Sequence, residues 1–285
     1  MLSRLLTVAI AILGITALVV GGIACKADGP KRKVAEKKYW GPRYAPEEAE
    51  SDGEAGEGGD PDQGFGPTGG AMDLANAGSI KGVFKFKGAA LKPRKFDLTK
   101  DAWCVSNAKE ILSEEFVIDA NGNVANAVAY IELGMKKQSF AVPTTPARLV
   151  QRNCRYVPHV LALRAQQELQ IENADSTSHN YKLTSSKNST FNETQSGPQT
   201  DSKYLNKAEL DVSFNCDVHP WMLARLHLFD HDYFAVSAVD GGFELKNVPP
   251  GRYKIGFRHE KWKSASIEIV VGPKETKDLG EIVLQ

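Results

Sequence analysis

An excess of charge is missing from this chain: 35 Lys and Arg stand against 35 Asp and Glu in 285 residues. Phosphate recognition needs a basic surface, so nucleic acid is excluded as the main partner. No Gly-rich loop of the P-loop or dinucleotide type is present, and no internal repeat of about 20–50 residues is apparent. Neither G-x-S-x-G nor H-E-x-x-H occurs, which leaves a hydrolytic enzyme as the least favoured class. Cysteine is scarce, with Cys25, Cys104, Cys154 and Cys216 the only four.

One long apolar run is there. Arg4 precedes "LLTVAIAILGITALVVGGIA", Leu5 to Ala24, and Cys25 follows. A positive residue, an apolar stretch and a small residue before the break describe an export signal over 1–25. The run is also long enough to stay as an uncleaved anchor. "GIA" before Cys25 resembles a bacterial lipoprotein processing site, although Gly22 stands where a leucine-like residue is usual. Lipidation of Cys25, a retained anchor and simple cleavage are the three outcomes, and each takes the bulk of the chain out of the cytoplasm to a periplasmic or cell-surface position. If Cys25 is lipidated and Cys216 binds metal, Cys104 and Cys154 remain to pair in an oxidising compartment. Such a bridge would stabilise by roughly 4 kcal/mol through its loop of ~50 residues. Two separate buried thiols are the alternative.

Residues 26–76 read as a disordered linker. A basic "KADGPKRKVAEKK" gives way to "EEAESDGEAGEGGDPDQGFGPTGG", too polar to offset its chain entropy by burial. Its root-mean-square span of about 40 Å would hold a domain away from a membrane. From Ser79 onward, segments such as "SIKGVFKFKG", "HVLALRAQQELQIENAD" and "AELDVSFNC" alternate apolar and polar residues between Gly, Asn, Asp and Pro turn signals. That texture predicts an all-β protein of sandwich type. Only "DLTKDAWCVSNAKEI" and, more weakly, "DSKYLNKAEL" suggest helices.

The stretch "FNCDVHPWM" carries Cys216, His219 and Met222 as C-x2-H-x2-M. A thiolate, an imidazole and a thioether are soft or borderline metal ligands. The ligand still missing is a histidine upstream, and "ENADSTSHNYKL" supplies His179 just after an alternating strand. His2Cys with a weak axial Met is the donor set of blue-copper electron-transfer sites. Any one of these residues alone would more often belong to a core.

These residues resemble the cupredoxins, amicyanin-like members above all, in the short C-x2-H-x2-M spacing, the Pro after the loop histidine and the upstream His followed by Asn. The resemblance runs from about Ala147 to Asp230. It implies a Greek-key β-sandwich with one type 1 copper held by His179, Cys216, His219 and Met222. Asn180 would brace the ligand loop. His219 would be the ligand nearest solvent, with Pro220, Trp221 and Leu223 as an apolar docking face for redox partners. A saturated ligand set leaves no position for a substrate, so no enzyme is expected, and no second His cluster of the multicopper-oxidase kind occurs. Two alternatives use the same scaffold: a copper carrier or store without redox traffic, and a surface binding or adhesion module.

The other histidines fit structural places. His159 reads as a hydrogen-bonded strand residue, with an extra ligand or an electron path as the alternative. His227 and His231 suit a strand face or partner docking better than a second metal. His259 reads as a surface strand residue. Trp221 either shields the copper edge or packs against a neighbouring loop. Near the C-terminus, "AVDGGFELKNVPPGRYKIGFRHE" resembles carboxypeptidase-regulatory-like, transthyretin-like β-sandwich modules. Pro249, Pro250 and Gly251 would turn a hairpin there. The expected organisation is a β region at 77–146, a cupredoxin domain at 147–233 and the small module at 234–285, with the 77–146 strands free to join the last module.

Overall fold

The structure, a computed structural model, describes residues 60–89 and 91–284. The export segment, Cys25 and most of the 26–76 linker lie outside the described residues. Among the described residues, no helix is long and apolar enough to cross a membrane.

The protein is all-β, built from two β-sandwiches. Alternation decides which side chains go inward: along Glu168–Asn173, Leu169, Ile171 and Asn173 are buried and their neighbours are not. The first sandwich opposes two sheets. One runs Gln199–Tyr204, Glu168–Asn173, Ala147–Gln151, Tyr156–Val157, and the other runs Val160–Arg164, Leu223–Phe229, Glu209–Asn215, His179–Thr184, Phe191–Gln195. Leu149, Tyr156, Leu169 and Ile171 from one sheet meet Leu183, Val212, Phe214 and Leu226 from the other in one core.

In the second sandwich, Gly251–Arg258 lies between Ala265–Val271 on one edge and both Val128–Leu133 and Gly66–Pro67 on the other, and Phe234–Val236 extends the sheet beyond Val128–Leu133. The facing sheet centres on Gly78–Phe86, with Gly242–Val248 antiparallel and Thr276–Leu284 parallel to it. Ile80, Phe84, Phe243, Leu245, Tyr253, Ile255 and Phe257 form its core. A third cluster, Val128, Val160 and Phe229 with Tyr130 and Phe234, joins the two sandwiches, and the Phe229 and Phe234 rings stack at 4.6 Å.

Several expectations are corrected. The linker ends earlier than residue 76, because Gly66–Pro67 pairs with Gly251–Arg258. Asp62 is buried there, its carboxylate accepting the N–H groups of Gly134 at 3.1 Å and Lys136 at 3.0 Å. The 77–146 region is not one unit. Its strands Gly78–Phe86 and Val128–Leu133 enter the second sandwich, whereas Leu98, Cys104 and Ile111 pack into the core of the first. Pro249–Gly251 makes no hairpin, since the strands on either side belong to different sheets. It carries the chain across the sandwich, and a Cβ on Gly251 would lie 2.3 Å from the Gly66 carbonyl oxygen.

The helix expected in "DLTKDAWCVSNAKEI" shrinks to α1, Ala102–Asn107. Backbone bonds from Phe96 N–H to Ile111 O and from Ser113 N–H to Arg94 O force this segment to double back, which leaves room for little more than one turn. The helix suggested by "DSKYLNKAEL" is an edge strand, Gln199–Tyr204, laddered residue for residue against Glu168–Asn173. Ladder pairing overrides a weak local preference.

Candidate metal centre

The first sandwich ends in a tight loop. The Cys216 N–H donates to the Met222 carbonyl at 3.3 Å, and the Met222 N–H donates to the His219 carbonyl at 2.9 Å. The loop therefore closes on itself and turns the Cys216 and His219 side chains inward. His179 opens the neighbouring strand His179–Thr184, which is paired with Glu209–Asn215. The three residues meet there. His179 Nδ1 lies 2.9 Å from His219 Nδ1, and Cys216 Sγ lies 3.8 Å from His219 Nδ1. Relative exposures of 0%, 3% and 1% for His179, Cys216 and His219 put the cluster out of reach of bulk water. Met222, at the end of the loop, is buried in the same core.

Each imidazole is oriented from behind. His179 Nε2 faces Asp175 Oδ2 at 2.8 Å, and His219 Nε2 faces Asp101 Oδ2 at 3.1 Å. An Nε2–H donated to each carboxylate leaves both Nδ1 lone pairs aimed at the shared space beside the thiol. Asp175 is itself pinned by the N–H groups of Asn153 at 2.7 Å and Cys154 at 2.8 Å. Burial works against its charge, but His179 and these two donors outweigh burial and hold its carboxyl below the usual range.

The Cys216 sulfur accepts the N–H groups of Asn180 and His219, each at 3.4 Å. Burial raises its pKa, yet the His219 ring and these N–H groups prevail and lower it, favouring the thiolate. Asn180 braces the loop as well. Its side-chain oxygen accepts the Asp217 N–H at 3.0 Å, and its amide donates to Asn192 and to the Glu193 carbonyl. The Tyr156 hydroxyl, bound to the carbonyls of Asn180 at 2.6 Å and Asn215 at 3.1 Å, ties both ligand-bearing strands together.

This donor set fits a metal ion. His179, Cys216 and His219 place their ligand atoms within 4.8 Å of one another, and an ion with bonds of about 2.0–2.3 Å can reach two nitrogens and a sulfur so spaced. Two imidazole lone pairs beside a thiolate are also a repulsive arrangement that a cation or a shared proton relieves. Cys104 and Cys154 form a disulfide, with Cys104 Sγ 3.7 Å from His219 Nε2. That bridge ties α1 against the metal loop.

The solvent-facing expectations for this loop are corrected. Trp221 is only 8% exposed. Its indole N–H donates to the Cys154 carbonyl at 3.0 Å, and its ring lies 5.1 Å from that of His219. Of the predicted docking face, Pro220 is exposed and Leu223 half-buried. Trp221 and His219 are covered because the 94–112 segment lies over them, and a cavity lined by Arg94, Arg155, Trp221 and Met222 borders the loop.

None of the other histidines joins the cluster. His159 precedes the strand Val160–Arg164 and holds the Leu223 carbonyl at 3.1 Å and Glu260 at 2.5 Å. His227 is buried beside Asp211, and burial lowers its pKa to about 4. His231 accepts the Tyr233 N–H at 3.2 Å and packs among aromatic rings. His259 is not on the surface: it is buried with its ring 4.2 Å from Trp262. Asp101 and Asp175 are the site residues that sequence reasoning missed. Asp175 stands four positions before His179, a spacing open to inspection, whereas Asp101 lies 118 positions from His219.

No family model and no curated protein matches the chain. Among solved structures it is similar to amicyanin from Paracoccus versutus, at 16% identity and a TM-score of 0.27 over 35% of this chain and 97% of that one. A purple cupredoxin from Nitrosopumilus maritimus matches at 16% identity and a TM-score of 0.26, over 29% of this chain and 99% of that one. A copper-containing nitrite reductase from Thermus scotoductus matches at 14% identity and a TM-score of 0.29, over 33% of this chain. The match spans about a quarter of the reductase, 26% of its length. Overlaps this limited carry no weight for function, which rests on the donor cluster itself.

Proposed function

We propose that this chain is an extracytoplasmic type 1 copper protein that carries single electrons between redox partners. The observation that carries the proposal is the convergence of two Nδ1 atoms and one thiol in a buried cluster whose Nε2 atoms are both held by aspartates. His179, Cys216 and His219 would hold the copper, with Met222 at the end of the same loop as a weaker fourth donor. Copper bound there supplies one-electron exchange between Cu(II) and Cu(I). The chain does the rest. The His219 ring and the N–H groups of Asn180 and His219 favour the thiolate, Asp175 and Asp101 hold the rings, and burial keeps water from a ligand position. With four protein donors no position is left for a substrate, and no catalytic activity is assigned. The N-terminal run tethers the domain at a membrane by lipid or anchor, where its redox partners meet it.

Adding one equivalent of Cu(II) to the full chain in detergent should produce intense visible absorption from thiolate-to-copper charge transfer, bleached reversibly by a one-electron reductant. Cys216→Ala should abolish the colour. A wild-type protein with only weak Cu(II) absorption would end this proposal, and colour without reversible reduction would favour a carrier or store.

A further inference from the structure

The strands of the first sandwich hold His179 completely, because Asp175 belongs to the loop that leads into the histidine strand. They do not hold His219. The carboxylate behind that ring comes from Asp101, at the start of α1, in a segment that intervenes between strands of the second sandwich. We propose that Asp101 is the positioning residue of the metal centre: it fixes His219 with Nδ1 toward the metal and seals the outer edge of that ring from solvent, and its charge favours Cu(II) over Cu(I). The proposal rests on the copper assignment above.

Asp101 uses both oxygens. Oδ1 accepts the Cys104 N–H at 2.8 Å and caps α1, while Oδ2 meets His219 Nε2 at 3.1 Å and the Thr177 hydroxyl at 3.4 Å. Cap and imidazole support are thus two jobs of one carboxylate, and the Cys104–Cys154 disulfide carries the helix to the spot. A carboxylate accepting the outer N–H makes an imidazole a stronger donor at its other nitrogen. Negative charge behind a ligand also stabilises the more positive metal state. His219 is 1% exposed although it sits on a terminal loop, and the aspartate and α1 account for that. Electrons then cannot leave through a bare His219 edge. They cross the Asp101–α1 cover or the Trp221 ring beside it.

The two jobs can be separated. Serine at position 101 keeps an N-cap oxygen for the Cys104 N–H but is too short to reach His219. Asparagine offers one oxygen where two donors need one each, so it fails at one task or the other.

Asp101→Ser in the full chain should leave the metal-free protein folded, with a denaturant midpoint only modestly lowered, because the helix cap is kept while the buried His219 N–H loses its acceptor. It should weaken Cu(II) binding about ten- to hundredfold. The Cu(II)-to-Cu(I) affinity ratio should fall at least tenfold, which raises the one-electron potential by about 59 mV. Unchanged affinities in both oxidation states would overturn the proposal and leave Asp101 a helix cap only. A measurement on wild type guards against a variant that misfolds: in the Cu(I)-loaded, 15N-histidine-labelled chain, the His219 Nε2–H should exchange slowly with solvent, and rapid exchange would overturn the proposal independently. A wild type that takes no charge-transfer colour sinks the copper assignment itself. A coloured wild type matched in every respect by the serine variant sinks only the role of Asp101.

Discussion

The two sandwiches bury different chemistry. In the second, the core is aromatic and aliphatic. Phe84 lies 4.9 Å from Phe243 and 5.7 Å from Phe257, ring centre to ring centre, among Ile80, Ile255 and Leu245. The first encloses a similar apolar core and, at one end, Gln151, Asn173, Asp175, His179, Gln195 and His219 as well. These polar groups are woven together: Gln195 donates to the Ile171 carbonyl at 3.0 Å, Asn173 to that of Thr177 at 2.9 Å, and Asp175 holds His179. An apolar core needs only the right pattern and volume, whereas a polar one must place each donor and acceptor or lose stability. The polar end of the first sandwich, where the donor cluster lies, is therefore the part of the molecule that depends most on exact placement.

The largest expected effect tests the scaffold. Phe84→Ala removes a fully buried ring and should cost about 3–5 kcal/mol in denaturant unfolding of the full chain. A loss below about 1 kcal/mol would show that the second sandwich does not depend on its aromatic cluster.

The disulfide belongs to the first sandwich and should matter less to stability than to the site. Replacing Cys104 and Cys154 together with serine opens a loop of 50 residues and should cost about 2–4 kcal/mol. The same variant should weaken copper binding, because α1 and Asp101 lose their tie to the loop. Stability equal to wild type would mean that packing of Leu98 and Ile111 already holds the segment.

The smallest effect concerns the joint between the sandwiches, where His159 meets Glu260. Burial disfavours the charged carboxylate of Glu260, but the hydrogen bond and charge of His159, then Arg225, outweigh it and hold the group at about 2. Burial likewise opposes charge on His159, and Glu260 overcomes it, leaving the imidazole raised above its ordinary value. The carboxylate contribution is complete above about pH 4.5 and is lost as pH falls toward 2. The imidazole contribution is complete below about pH 6.5 and is lost as pH rises through the raised value. The stability difference between wild type and Glu260→Gln should therefore be greatest between about pH 4.5 and 6.5. A difference that does not vary with pH would mean the pair is not ionised in the native protein.

Much of this protein is written locally. Period-two alternation marks most of the strands, and Cys216, His219 and Met222 sit close enough in sequence for one loop to carry all three. The His-Asn pair at 179 and 180 is legible because it follows an alternating strand. The helix is shorter than its sequence suggests because the Phe96–Ile111 pairing that cuts it off is a contact between segments. His259 reads as a surface residue because the local pattern does not show that the Trp262 ring packs against it, tilted and 4.2 Å away.

The sequence by itself determined the types and order of the candidate donors and the alternation that builds sandwiches, since these are read from motifs and periodicity along the chain. Tertiary structure alone decided that the Gly66–Pro67 strand closes the second sandwich, and that α1 lies over the metal loop and buries His219 and Trp221. It alone brought Asp101 across 118 positions to His219. The physical reason is the range of the forces involved. Periodicity and loop spacing act along the chain, whereas burial and hydrogen-bond pairing act between segments whose meeting only the packed core selects.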